Sequence, residues 1–407
     1  MNIKIPKTKK IKKCRLCRSS KLKLIFDYGN FYVSNFVSKK NIHNGIKAPL
    51  KLLICKECTL LQLSHSAPQE LMYKKFYWYR SGVTQTMKNS LLDIYKAVLK
   101  LNILKKGDVV LDIGANDGTM LRFFKRKYIT IGCEPARNLQ YSLKKNCKYI
   151  INDFWNLKSL NQLIYKNNLS KPKLITAIGM FYDLEDPSKF ISDAYEALDN
   201  NGVFIAQLMC LESMIEKNDL GNICHEHLEF YNYKSLKYLF EKNGFKIIRL
   251  EKNNVNGGSF RIFCSKNKKK SISFKEKTSL KYIYKFIENV EYNKSAFLKF
   301  FHNEISKGKK FFVYGASTKG NTILQYYKLN HLKIPYAAER SPEKWGKYTI
   351  GTGVKIISEQ KARELRPDYF IVMPYGFINE FKIRENAWLK SGGKFILLYP
   401  KFKLIGA

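Results

Sequence analysis

The chain has 407 residues, 45% of them hydrophobic, which is more than one hydrophobic core normally supports, so two or three globular units are expected. Every apolar run is interrupted by Lys, Asn or Asp well before about 18 residues, which excludes a membrane-spanning helix and a membrane partner. The 73 Lys+Arg against 33 Asp+Glu give a net charge of +40, but outside the runs Lys4–Lys13 and Lys266–Lys270 the lysines are spread along the chain. Neither run interleaves aromatics. That distribution predicts attraction of small anions such as nucleotide diphosphates and no specific nucleic acid.

Near the start stand Cys14-x-x-Cys17 and Cys55-x-x-Cys58, separated by short strand-like runs at Leu22–Phe26 and Leu50–Ile54. Each pair supplies two thiolates from one tight turn, so the four fit one closed, structural, tetrahedral zinc; four unrelated buried thiols are the alternative. Residues 1–75 are expected to form a small module whose core is too small to hold itself together without that staple. The other cysteines, Cys133, Cys147, Cys210, Cys224 and Cys264, show no pairing pattern and no signal-peptide pattern opens the sequence, which points to a reducing cytoplasm.

Helical spacing over 89–104 is followed by a Lys105-Lys-Gly-Asp break and the buried strand Val109–Asp112. Strand signals at Thr130–Glu134, Leu174–Ile178 and Gly202–Gln207 alternate with helical ones at Ala136–Lys145 and Ser188–Leu198. Alternation of this kind requires a parallel sheet with helices on both faces, with Phe245–Leu250 and Ser259–Cys264 closing it in the antiparallel sense. The loop Asp112-Ile-Gly114-Ala-Asn116-Asp-Gly118 departs from the dinucleotide glycine pattern. Its anionic Asp112 would repel a pyrophosphate but suits the cationic sulfonium and amino group of S-adenosylmethionine. Glu134, at the end of the next strand, is placed to accept ribose hydroxyls, and Asp153-Phe154 to hold an adenine.

Further on, Cys224-His225-Glu226-His227 concentrates groups suited to proton transfer near neutral pH; the spacing excludes a zincin, and satisfied structural histidines are the alternative. After an amphipathic helix over 280–305, a second α/β unit begins at Lys309–Gly315. Its loop Gly315-Ala-Ser317-Thr-Lys319-Gly-Asn321 precedes a helix over 321–327, where backbone N–H groups would receive a phosphate or merely turn tightly.

In order, the two Cys pairs, Asp112–Thr119, Gly132-Cys-Glu-Pro135, His225-Glu-His227, Asn256-Gly-Gly-Ser-Phe-Arg261, Tyr314–Asn321, Pro342-Glu-Lys-Trp-Gly346 and Arg366-Pro-Asp368 resemble the sugar C-methyltransferases of deoxysugar pathways, nearly end to end. These methylate a nucleotide-linked 4-keto-hexose, commonly at C-3. The resemblance implies an α/β chain of three parts: a zinc-binding module (1–75), a Rossmann-like class I S-adenosylmethionine methyltransferase domain (76–270) and a Rossmann-like domain with a leading bridging helix (271–407). It implies a nucleotide-diphosphate keto-sugar as substrate, held mainly by the last domain through Gly315, Ser317, Lys319, Asn321, Arg340 and Lys344, with Asn256 and Arg261 from the methyltransferase domain, in a monomer.

The chemistry that follows is removal of the acidic proton beside the ketone and attack of the enolate carbon on the sulfonium methyl. His227 is the expected base, Glu226 sets its tautomer, His225 shapes the pocket, and Tyr79 or Tyr77, from Tyr77-Trp-Tyr79-Arg-Ser81, donates to the oxyanion. Zinc takes no chemical part. The sequence departs from the family pattern at Cys224, where tyrosine is usual, at Gln207, where glutamate is usual, and at Gly179, Tyr182 and Gly353. O- or N-methylation of a related sugar, and a basic zinc-ribbon nucleic-acid binder with a vestigial methyltransferase core, are the competing readings.

Overall fold

The computed structural model describes residues 8–407, so the beginning of the basic run Lys4–Lys13 and of the 1–75 unit lies outside the described residues. In the N-terminal region Leu22–Tyr32 and Lys47–Cys55 pair antiparallel. They run well beyond the two expected strands because bulges at Leu24/Phe26 and Asp27/Gly29 absorb breaks in the apolar alternation. Leu61–Leu63 adds a third strand, and the fourth is Glu229–Phe230, contributed from far along the chain.

The middle region carries a seven-stranded sheet: β1 (Val109–Ile113), β2 (Ile129–Cys133), β3 (Tyr149–Ile151), β4 (Leu174–Ile178), β5 (Val203–Met209), β6 (Lys246–Asn253) and β7 (Ser259–Ser265). The spatial order is β3-β2-β1-β4-β5-β7-β6, with β1 to β5 parallel, β7 antiparallel to β5 and β6 antiparallel to β7. The order reverses between β1 and β4, and the crevice at their carboxyl ends is where such sheets bind ligands. The helix Gln85–Leu99 covers one face with Met87, Leu91, Ile94 and Val98; it begins at Thr84, whose hydroxyl accepts from Met87 N at 3.3 Å.

In the C-terminal region five parallel strands, in the order Lys394–Leu397, Tyr369–Val372, Phe311–Tyr314, Tyr336–Glu339 and Lys355–Ser358, form a second Rossmann-like sheet. Lys403–Ile405 extends one edge. The other continues through Tyr348–Thr349 to Phe36–Val37, so the N-terminal region lends this sheet a strand. The long helix Leu280–Ser306 matches the expected bridge. It packs Phe286, Val290 and Phe297 into one apolar core with Leu50 and Leu61 from the N-terminal region and Val313 and Ile356 from the C-terminal sheet.

Arg15, directly after Cys14, is 1% exposed. Its guanidinium donates to Leu63 O at 2.6 Å and Ser66 Oγ at 2.9 Å, and Nε lies 3.7 Å from Glu229 Oε1. Burial pushes the Glu229 carboxyl well above its ordinary range, and Arg15 opposes that shift. Removing the carboxylate would leave a desolvated cation. Glu229→Leu is therefore expected to lose about 3 kcal/mol of stability in urea unfolding, and Arg15→Met/Glu229→Leu to recover most of it; equal stability of the single variant and the parent would show that the pair is inert.

Candidate active site and zinc centre

The four N-terminal cysteines converge. Their sulfurs all lie within 4.8 Å of one another, with Cys14–Cys58 at 3.6 Å and Cys17–Cys55 at 3.5 Å. A tetrahedron with Zn–S near 2.3 Å requires sulfurs about 3.8 Å apart, so the cluster fits zinc closely and is too wide for a disulfide. Gln62 Nε2 donates to Cys14 Sγ at 3.1 Å, as expected beside a thiolate, and the thiol of Cys58 pulls Cys14 well below its usual range.

A cavity of ≈540 Å³ opens at the carboxyl ends of β1 and β4, and all three regions line it. That volume is ordinary for a small-molecule site. On the donor side, Gly114 adopts φ +73°, and a Cβ there would lie 2.7 Å from Met180 Cγ, so only glycine brings this backbone to the cavity wall. Glu134 sits opposite the loop, accepting from Asn116 N and Ala136 N, each at 2.9 Å. Phe154 lines the same wall. Backbone at a glycine turn, a carboxylate at the next strand end and an aromatic face suit the aminoacyl, ribose and adenine parts of S-adenosylmethionine.

Several expected donor residues act differently. Asp112 lies behind the loop, taking the Thr176 hydroxyl at 2.6 Å, and burial raises its carboxyl to about 7. Asn116 faces the cavity, but its amide is used to hold the chain, accepting from Ser81 N at 2.9 Å and donating to Tyr79 O at 3.1 Å. Gly118 packs on Asn146 and Leu143 rather than on the cavity. Asp153 turns outward to Lys74 at 3.1 Å.

The catalytic segment also needs correction in detail. His227 and Glu226 line the cavity, but His225 does not: its Nε2 meets Ala48 O at 2.9 Å, and burial lowers its pKa to about 4. Glu226 does not set the tautomer of His227. The ring's Nδ1 donates to the backbone carbonyl of Asn222 at 2.7 Å, which leaves Nε2 as the basic nitrogen, while Glu226 Oε2 accepts from Thr318 Oγ1 at 3.0 Å. Burial and the Lys319 charge hold His227 well below its usual pKa, so it stands neutral. Tyr182 packs edge-on against it at 4.7 Å between centroids. Tyr77 and Tyr79 both face the chamber, Tyr79 at its more open side with 43% exposure.

From the C-terminal region, Ser317 and Lys319 reach the cavity, and so does Asn256, from the loop between β6 and β7. The helix begins at Thr318, three residues earlier than expected, because Ser317 Oγ accepts from Gly320 N at 2.9 Å. This first turn therefore braces the catalytic segment. Gly315 packs against Pro374, and Asn321 is 1% exposed and tied to Thr352. Arg261 is buried between Gln207, Glu251 and Asp93. Arg340 is exposed away from the cavity, and Lys344 bonds Ala316 O and Glu339. Sequence reasoning missed Asn222, Thr318 and Asp219, and marked Tyr182 only as a departure from the family pattern; Asn222 lies only three residues before His225, but nothing in the sequence marks a backbone carbonyl as a tautomer lock.

A four-thiolate module and a methyl-donor chamber on a β3-β2-β1-β4-β5-β7-β6 sheet define a zinc-containing S-adenosylmethionine-dependent methyltransferase. Family comparison agrees: residues 14–73 match “Putative zinc binding domain”, 84–250 “Methyltransferase domain” and 254–400 “C-methyltransferase C-terminal domain”. C-methyltransferase NovU of Streptomyces niveus is 22% identical, covering 98% of this chain and 97% of its own. Magnesium protoporphyrin IX methyltransferase of Synechocystis, solved with bound SAM, aligns with 44% of this chain and 78% of its own at 12% identity and TM-score 0.32. A methyltransferase of Clostridium acetobutylicum aligns with 45% of this chain and 92% of its own at 12% identity and TM-score 0.34. In chain order the three family matches run from residue 14 to residue 400. Among the described residues no helix is long and apolar enough to cross a membrane.

Two outcomes are expected. Cys55→Ser should lower zinc content and melt the N-terminal region early, because closed thiolate sites contribute folding energy directly; full metal content in a Cys14→Ser/Cys55→Ser variant would overturn the ligand set. Glu134→Ala should weaken donor binding by about 1.5–3 kcal/mol in calorimetry while affinity for the acceptor substrate is unchanged; the reverse pattern would mean the ligands occupy opposite sides.

Proposed function

We propose that the substrate is a nucleotide-activated keto-sugar, deprotonated beside its ketone and methylated at that carbon, in surface glycan or deoxysugar biosynthesis in the cytoplasm. The observation that carries this reading is a neutral, tautomer-locked imidazole in the chamber that Glu134 and the Gly114 turn share. O- or N-methylation needs no carbon base. The extra C-terminal Rossmann-like unit and the net charge of +40 favour an anionic acceptor such as a sugar diphosphate. NovU is named as a C-methyltransferase, which supports the same reaction class.

S-adenosylmethionine, when bound, supplies an electrophilic methyl group. His227 Nε2 takes the proton, with Nδ1 anchored so that the ring cannot rotate away. Glu226, held by Thr318, fixes the backbone next to it, and Tyr79 or Tyr77 donates to the ketone oxygen. The zinc holds the N-terminal region together and stays outside the reaction.

Mass spectrometry of methyl transfer across dTDP-, GDP-, UDP- and CDP-4-keto-6-deoxyglucose tests the substrate; no product from any of them would refute it. His227→Asn is expected to cut both deuterium exchange beside the ketone and methylation by roughly 10²–10⁴-fold, with both ligands still bound. Because burial and a nearby cation depress His227, its neutral form dominates from neutral pH down past 6.5, the ordinary histidine value. Exchange in the wild type should therefore stay level from pH 8 to pH 6.5 and fall only in more acid buffer. A steep loss already between pH 8 and 7 would point to a different base.

A further inference from the structure

Lys319 enters the chamber on the first turn of the helix Thr318–Tyr326, from the opposite side to the donor loop. Its ammonium donates to Asn222 Oδ1 at 2.9 Å, which uses one of three N–H donors. Asn222 is 2% exposed and also gives its backbone carbonyl to His227 Nδ1 at 2.7 Å and its amide Nδ2 to Asp219 Oδ2 at 3.1 Å. One residue thus holds the imidazole and the ammonium side by side. Among the described residues lining the chamber, the other lysine is Lys189, which is exposed and paired with Asp193.

The groups facing this ammonium are acidic or neutral: Asp183, Asp219 and Glu226, with Cys224 behind the wall. Thr318 Oγ1 donates to Glu226 and Ser317 Oγ accepts from Gly320 N. The Asn222 tether places the ammonium beside His227. A ketone becomes acidic at the neighbouring carbon only as far as the charge developing on its oxygen is stabilised, and a fixed cation in a dry site stabilises it more than a phenol does.

We propose that Lys319 is a catalytic residue that binds the ketone oxygen of the substrate and carries the charge of the enolate, and that Asn222 is the positioning residue that sets its distance from His227. The inference rests on the C-methylation reading above. His227 Nε2 receives the proton; the C–H electron pair becomes the new C=C bond, and the carbonyl π pair moves onto the oxygen facing Lys319. The enolate carbon then takes the methyl group, and the C–S electron pair remains on sulfur as a neutral thioether. The proton on His227 passes to solvent, which restores the neutral base.

The experiment follows exchange beside the ketone in deuterated water without methyl donor, using the panel member that the wild type methylates. Lys319→Met is expected to slow exchange by about 10²–10³-fold, as for loss of an oxyanion donor, while donor affinity by calorimetry is unchanged. Lys319→Arg should retain more of the rate. Asn222→Ala separates the two roles, since it keeps the backbone carbonyl that anchors His227 and loses the side-chain bonds to Lys319 and Asp219. It should slow exchange by about tenfold, with its kcat reduced and its substrate KM little changed. Wild-type exchange in Lys319→Met, with weakened sugar-nucleotide binding, would assign this lysine to the diphosphate and overturn the proposal. Absence of exchange in the wild type itself would instead remove the C-methylation reading on which it stands.

Discussion

A single pairing organises the site: Glu229–Phe230 lies antiparallel to Leu61–Leu63 in the zinc-bearing sheet, with Leu63 N also bonded to Leu228 O at 2.9 Å. Leu61–Leu63 in turn pairs with Lys47–Cys55, the strand that ends in a zinc ligand. The backbone immediately after His227 is thus fixed to a metal-stapled hairpin. Arg15, the neighbour of Cys14, reinforces the same joint from within through Leu63, Ser66 and Glu229. A loop carrying the proposed base would otherwise sample many conformations, and a displacement of about 1 Å is enough to cost a large factor in rate. In the proposed mechanism zinc bears on catalysis through this mechanical route.

The chamber's electrostatics follow from burial more than from individual pairings. Asp183, Asp219 and Glu226 are each pushed upward by desolvation, Asp219 to about 6, and His227 is pushed downward. Acids that resist ionising and a base that resists protonation reduce the charge around Lys319 and His227 before substrate enters. Charge separation during the reaction then has a defined place for each sign. Gln207 fits this pattern: its Oε1 accepts from Arg261 Nε at 3.0 Å and from Asn253 Nδ2 at 3.2 Å, adding no charge of its own.

Much of this was legible beforehand, for physical reasons that differ between elements. The cysteine pairs, the alternation of strands and helices, and the Gly114 turn are local patterns, and each reappears close to its expected place. Arg261, which the resemblance assigned to the sugar nucleotide, instead pairs its guanidinium with Glu251 and Asp93 across neighbouring elements. His225 and Glu226 sit in a turn closed by His227 N donating to Cys224 O at 3.1 Å, which sends His225 to Ala48 and Glu226 to the chamber. The Asn222 lock depends on a main-chain carbonyl, which carries no sequence signature. Nor could spacing show that Phe36–Val37 leaves its own region for the C-terminal sheet.

That borrowed strand bears on how the protein is made. Phe36 pairs with Thr349, roughly three hundred residues later, and Gln62 with Glu229. During synthesis the N-terminal segment emerges first with two sheet edges unpaired, and one of them stays open until almost the whole chain has left the ribosome. Pairings of such long range are slow to form, and open edges are templates for association with other chains. Early zinc capture by Cys14, Cys17, Cys55 and Cys58 would give this waiting segment a folded centre, so that metal supply governs the yield of soluble protein during translation as well as the stability of the finished molecule.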